Sequence, residues 1–142
     1  MVRITLELAS KIITATLQRR VELGFKPLCV AVLDPGGHLV ALQREDGAST
    51  LRPQIAMAKA GGSLALGVSS RKIAEMASER PTFIASLGPI SPHGVVPAAG
   101  GMLIVDAEGQ LIGAVGVTGD TSDNDEACAL AGVAAAGLSV LE

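Results

Sequence analysis

Gly113-Ala-Val-Gly-Val-Thr-Gly-Asp-Thr-Ser-Asp-Asn-Asp-Glu126 carries an apolar, glycine-rich run through a polar turn into the last helix of the chain. Small and β-branched residues end at Gly119. Thr121, Ser122 and Asp123 can then cap a helix that continues through the alanine-rich segment beyond Glu126, which makes the stretch a strand-to-helix junction. Asp120, Asp123, Asp125 and Glu126 crowd this junction. They can cap the helix and complement its dipole, or face a ligand, and both readings stay open on the sequence alone.

Working outward, Gly100–Val105 and Leu111–Val117 read as two strands joined by the turn Asp106-Ala-Glu-Gly109. Leu28–Leu33 and His38–Gln43 form a second such pair around Asp34-Pro-Gly-Gly37. Leu6, Ala9, Ile13, Leu17 and Val21 recur at helical spacing, so residues 5–24 read as an amphipathic helix ended by Gly24. Two more helices are expected, Pro53–Leu66 and a third capped by Ser69 or Ser70 and stopped by Pro81. From Thr82 to Ala99 the prolines and glycines forbid a long helix or a central strand, and a loop around His93 is expected. The final helix is expected over Asp123–Leu138, dense enough in Ala and Gly for another element to approach its backbone. Two hairpins most simply join in one antiparallel sheet covered by helices, within a single domain over residues 1–142.

Composition narrows the function classes. Aromatic residues make up 1% of the 142 residues, so stacking on nucleic-acid bases is excluded as an expectation. All eleven Lys and Arg lie at or before Arg80, while seven of the fourteen acids follow it. Complementary faces of that kind favour self-association. Cys29 and Cys128 match no zinc or redox spacing and read as core residues. No signal segment or membrane-spanning run is legible, so a cytoplasmic address is expected.

Motif tests are mostly negative. The acids at 120, 123 and 125 do not follow the EF-hand pattern, no Gly-x-Gly-x-x-Gly stands at a helix start, no Gly-x-Ser-x-Gly elbow occurs, and zinc-protease spacing is absent. What remains is a set of side chains suited to an anionic small molecule. Arg44 and Arg52 can fork onto a carboxylate or onto an internal acid such as Asp125. His93, with an ordinary pKa of about 6.5, suits acid/base work or metal ligation. Arg44, Asp46, His93 and Asp125 together would combine an anion clamp with acid/base groups, as proton abstraction beside a carboxylate requires.

Leu33-Asp34-Pro35-Gly36-Gly37, Arg44-x-Asp46-Gly47-Ala48, Ala58-Lys59-Ala60, Gly100-Gly101, Gly113 to Gly119, Asp125-Glu126 and Ala131-Gly132, in this order, resemble the GlcG/HbpS family of haem-binding or haem-degrading domains. The resemblance spans about residues 3–140. It implies an α+β, profilin-like fold, with an antiparallel five-stranded sheet flanked by helices in α/β/α layers, and assembly into homo-oligomers (dimer, tetramer or octamer). It also implies haem or a related tetrapyrrole as ligand, with Arg44, Asp46, Lys59, Gly101 and Asp125 at family pattern positions. The expected ligand-binding set is therefore Arg44, Asp46, Arg52, Lys59, Gly100, Gly101, Thr118 and Glu126. Asp125, His93 and Arg44 are the candidate catalytic residues, and His93 is the first candidate should haem iron be bound. A cofactor-independent enzyme of lyase, isomerase or hydrolase type, acting on a small carboxylate or carbonyl compound, is the alternative expectation. A structural partner of a metabolic enzyme is a third. No nucleic-acid or membrane partner is expected.

Overall fold

A computed structural model describes residues 2–141. Its elements are α1 (Leu6–Leu23), β1 (Cys29–Leu33), β2 (Leu39–Arg44), α2 (Arg52–Leu66), α3 (Ser70–Glu79), α4 (Pro81–Leu87), β3 (Gly101–Val105), β4 (Leu111–Thr118), α5 (Ser122–Ala135) and β5 (Ser139–Leu141). The strands form one antiparallel sheet in the order β2-β1-β4-β3-β5. Both expected hairpins are present and meet where β1 pairs with β4. The arrangement is α+β, with helices on both faces of the sheet.

Both hairpins turn by the same local chemistry. Asp34 Oδ1 accepts from the N–H groups of Gly36 and His38, and Asp106 Oδ1 from those of Glu108 and Gln110. Three residues after each aspartate stands a glycine with positive φ, Gly37 at 83° and Gly109 at 77°.

The continuous apolar run of β1 reflects a sheet covered twice. Val30, Val32, Met102, Ile104, Ile112, Val115 and Val117 face α1 and α5. Cys29, Ala31, Leu33, Leu103 and Ala114 face α2 through Ala56 and Ala60. Small residues line the α2 side because that helix lies very close to the sheet. A Cβ on Gly116 would collide with the Ala56 carbonyl, and one on Gly101 with the Lys59 carbonyl. The paired glycines of α2 itself have neighbours too, Gly61 against His93 and Gly62 against Val95.

Several expectations are corrected. Leu6 and Val21 are exposed at 63% and 61%, and the buried stripe of α1 is Ala9, Ile12, Ile13 and Thr16. The stripe is rotated because α1 and α5 cross at Gly132, where a Cβ would strike Thr16 and the Ile12 carbonyl. The region from Thr82 is not irregular throughout. Pro81 ends α3 but opens α4, and a short 3₁₀ turn, Gly88–Ile90, has Pro89 in its first turn. The last helix stops at Ala135 rather than Leu138, Gly137 adopts φ 75°, and the chain adds β5 to the sheet edge. Among the described residues no helix is long and apolar enough to cross a membrane.

Candidate functional site

The junction that opened the sequence reading forms one end of the sheet. Thr121, not Asp123, is the N-cap of α5, its hydroxyl accepting from Asn124 N–H. Asp120 ties the turn together: Oδ2 accepts from Lys26 N–H at 2.7 Å, and Oδ1 from Thr121 N–H and Asn124 Nδ2. Those donors, Lys26 N–H foremost, hold the Asp120 carboxyl below its ordinary pKa. Asp123 and Glu126 both pair with Arg71 of α3. Glu126 is thereby engaged at the wall of a groove of about 430 Å³ over Val68, Met102 and Leu130.

Behind the junction lies a buried ion pair that the spacing of its members, 66 residues, concealed. Lys59 Nζ donates to Asp125 Oδ2 at 3.2 Å and to the Val117 carbonyl at 3.0 Å. Asp125 Oδ1 accepts from Asp120 N–H at 2.9 Å. The two side chains are 3% and 1% exposed. Burial pushes the lysine pKa down and the aspartate pKa up; Asp120 N–H and then the Lys59 ammonium oppose the shift at Asp125, and Asp125 opposes it at Lys59. Gly100 makes room for the ammonium, since a Cβ there would strike Lys59 Nζ and the Val117 carbonyl. Gly101 is required by the Lys59 backbone in the same way. The local packing therefore accounts for both glycines and for Lys59 and Asp125, none of which is open to solvent.

The side chains open at this end are arginines. Thr118, Cys29 and Arg44 are register partners across β4, β1 and β2, and so lie in one row on the α2 face. Arg52, at the start of α2, donates from Nη1 to Thr118 Oγ1 at 2.8 Å. Arg44 donates from Nη1 to the Ala48 carbonyl at 2.7 Å. Neither forms a salt bridge with a carboxylate among the described residues, and Asp125, the internal partner weighed for them, belongs to Lys59. Asp46 is exposed in the same loop. Its neighbour Glu45 was not singled out in the sequence, yet it anchors the loop. Glu45 accepts from Arg20 Nε and Nη2 at 2.9 and 2.8 Å and from Leu28 N–H at 2.8 Å. Burial raises its pKa, but the Arg20 and Leu28 donors outweigh burial and hold the carboxyl below its ordinary value.

His93 does not join this group. Its Nε2 donates to the Gly37 carbonyl at 2.7 Å, and its ring packs on Gly61 beside a cavity of about 230 Å³. Gly37 is in the turn beyond Leu33, whereas the arginine row begins at Cys29. The rise of β1, roughly 13 Å, therefore separates the two ends. The expected grouping of Arg44, Asp46, His93 and Asp125 is therefore divided: the Arg44–Arg52 loop and the α5 junction meet, and the His93 loop lies at the opposite end. Among the described residues no group of three or more His, Cys, Asp or Glu converges to hold a metal ion. Cys29 and Cys128 are buried thiols pushed up to about 11 by burial.

Comparison with known proteins places this architecture. The family model described as "Haem degrading protein HbpS-like" matches residues 4–134. Among solved structures, the chain is similar to HbpS at 30% identity, covering 94% of this chain and 90% of that one with a TM-score of 0.80. It is similar to the Klebsiella pneumoniae protein ORFY at 25% identity, with 96% and 93% covered and a TM-score of 0.85. A PduOC:heme complex shares the fold at 20% identity, with 99% and 100% covered and a TM-score of 0.86. No curated protein sequence matches the chain significantly.

Proposed function

Because this chain belongs to the HbpS-like family of haem-degrading proteins, we propose that it binds haem or a related tetrapyrrole, at the sheet end that carries Arg44, Arg52 and Thr118. The observation that carries this reading is the pair of arginines that form no salt bridge among the described residues, beside a buried hydroxyl. Haem presents carboxylates along one edge, and guanidinium forks suit them. The haem in the PduOC complex and the haem degradation for which the HbpS-like family is described support the same ligand class.

The residues fit the acid edge of such a ligand rather than its metal. Both histidines lie at the far turn, and the two thiols are buried and protonated. Bound haem would bring its own iron chemistry. This chain's part is to hold and orient the carboxylates: Arg44 and Arg52 supply charge, Thr118 fixes the Arg52 fork, and the Lys59–Asp125 pair fixes Val117 and Asp120 on either side of Thr118. The enzyme alternative on a small carboxylate uses the same arginines but needs a free acid or base beside them. Asp125 is closed inside its pair and His93 is remote, which leaves the exposed Asp46 for that role. Residues 1–142 act in this reading as one cytoplasmic domain within a homo-oligomer.

The test is a haemin titration followed at the Soret band, on the wild type and on His93→Ala. A saturable change in both proteins is expected. The absence of any saturable change in the wild type would overturn the haem reading, and its loss in His93→Ala alone would move the ligand to the other end of the sheet.

A further inference from the structure

We propose that Arg44 and Arg52 form a two-point clamp whose specific target is a ligand carrying two carboxylates. The inference rests on the ligand site proposed above, but not on the ligand being a tetrapyrrole.

Among the described residues Lys11, Arg19, Arg20, Lys59, Arg71 and Lys72 each pair with a carboxylate, while Arg3, Lys26, Arg44, Arg52 and Arg80 form no salt bridge; of these five, Arg44 and Arg52 are the two whose side chains are fixed by hydrogen bonds to the protein. Each uses one nitrogen on an internal oxygen, Ala48 O or Thr118 Oγ1, which fixes the fork and leaves its other N–H groups to an outside acceptor. The acids nearby are already satisfied: Glu45 by Arg20 and Leu28 N–H, Asp125 by Lys59 and Asp120 N–H, Asp120 by Lys26 N–H and its own turn. Asp46 alone is free, and it is exposed. The start of α2 adds no competing negative charge, having neither an acidic residue in its first turn nor a side-chain cap.

Spacing then selects two anions over one. Arg44 and Thr118 flank Cys29 on neighbouring strands, so their α-carbons are roughly 10 Å apart. Arg52 Nη1 is anchored on Thr118 Oγ1 and Arg44 Nη1 on the Ala48 carbonyl, so the two forks are fixed at separate points. A single carboxylate needs only one fork. Two carboxylates on one molecule engage both, and the second contact becomes intramolecular. An arginine fork also distinguishes a carboxylate from its ester, which has lost the charge and one acceptor oxygen.

The experiment compares mesoporphyrin IX with its dimethyl ester, and a series of straight-chain aliphatic dicarboxylates with their monocarboxylate counterparts. Binding is read by fluorescence or calorimetry on wild type, Arg44→Ala, Arg52→Ala, the double variant, and Arg80→Ala as a cation control away from the site. The diacid is expected to bind at least tenfold more tightly than the diester. Each single variant should lose about tenfold for the diacid and little for the ester, and Arg80→Ala should match wild type. Arg44→Lys and Arg52→Lys should each retain part of the affinity, because they keep the charge without the fork. Equal binding of diacid and diester, or unchanged diacid binding in the double variant, overturns the clamp.

The same arms separate this inference from the ligand reading. Haemin bound equally by wild type and double variant leaves the haem reading standing and removes the clamp. Aliphatic dicarboxylates that bind wild type but not the double variant, with no porphyrin binding, do the reverse. If no carboxylate binds and the double variant instead changes sedimentation behaviour, the arginines serve acids of a second copy and the clamp is overturned.

Discussion

Lys59→Met cuts one member from the buried pair while keeping most of the apolar stem. It leaves the Asp125 carboxylate 1% exposed, with Asp120 N–H as its remaining donor. Breaking a buried pair from one side costs about 3–5 kcal/mol, because the surviving charge is left in a poorly solvating interior. At such low exposure no solvent discount applies. With about 2.1 cal/mol/K of unfolding entropy per residue, a chain of 142 residues loses roughly 10–17 °C of Tm. The loss must depend on pH. Without the ammonium, the folded-state pKa of Asp125 rises further above its ordinary 3.8. A raised acid pKa contributes stability that is present at low pH and lost as pH rises through the folded value. The deficit relative to wild type should therefore shrink as pH falls from neutral towards the ordinary value of 3.8. Removing both charges, as in Lys59→Met with Asp125→Leu, should recover much of the loss. Thermal melts across that pH range provide the assay. A Tm within about 2 °C of wild type, or a deficit that does not change with pH, would refute the charged, buried pair.

Other outcomes follow from neighbouring features. Gly116→Ala drives a methyl group into the Ala56 carbonyl, so α2 must lift from the sheet; a loss of at least about 2 kcal/mol is expected in denaturant unfolding. Glu45 has a folded pKa below its ordinary 4.5, so its contribution is present above that value and lost as pH falls through the folded one. Glu45→Gln should therefore flatten the acid limb of a pH–stability curve. Cys29 and Cys128, buried and pushed up to about 11, should react with a thiol reagent only after denaturation, whereas fast labelling of the native protein would contradict their burial.

How much of this was legible in the sequence depended on how local the cause was. Thr5 and Gly24 bound α1, Ser69 caps α3, and Asp34/Gly37 and Asp106/Gly109 close the hairpins, all through contacts within a few residues. The three residues of β5 were missed because the Ala- and Gly-rich period of α5 runs on past its end, with Gly137 the one local sign of a stop. The buried face of α1 was misjudged because it is set by Gly132 of another helix. At the site, the residue types at Arg44, Arg52 and Thr118 could be named but not their neighbours. Lys59–Asp125 and Arg20–Glu45 form across 66 and 25 residues, and no spacing rule marks such pairs. The grouping of His93 with Arg44, Asp46 and Asp125 fails because the path of the proline-rich segment, which carries it to Gly37, cannot be traced from sequence.

The central claim is a location: the ligand occupies the arginine end of the sheet. Backbone amide shift mapping suits a 14.3 kDa chain, using metal-free mesoporphyrin IX to avoid paramagnetic loss. The perturbed amides are expected to cluster around Arg44, Ala48, Arg52 and Thr118, with Gly37, Gly61 and His93 unmoved. Perturbations centred on His93 and the Gly37 turn, with the arginine end silent, would contradict it.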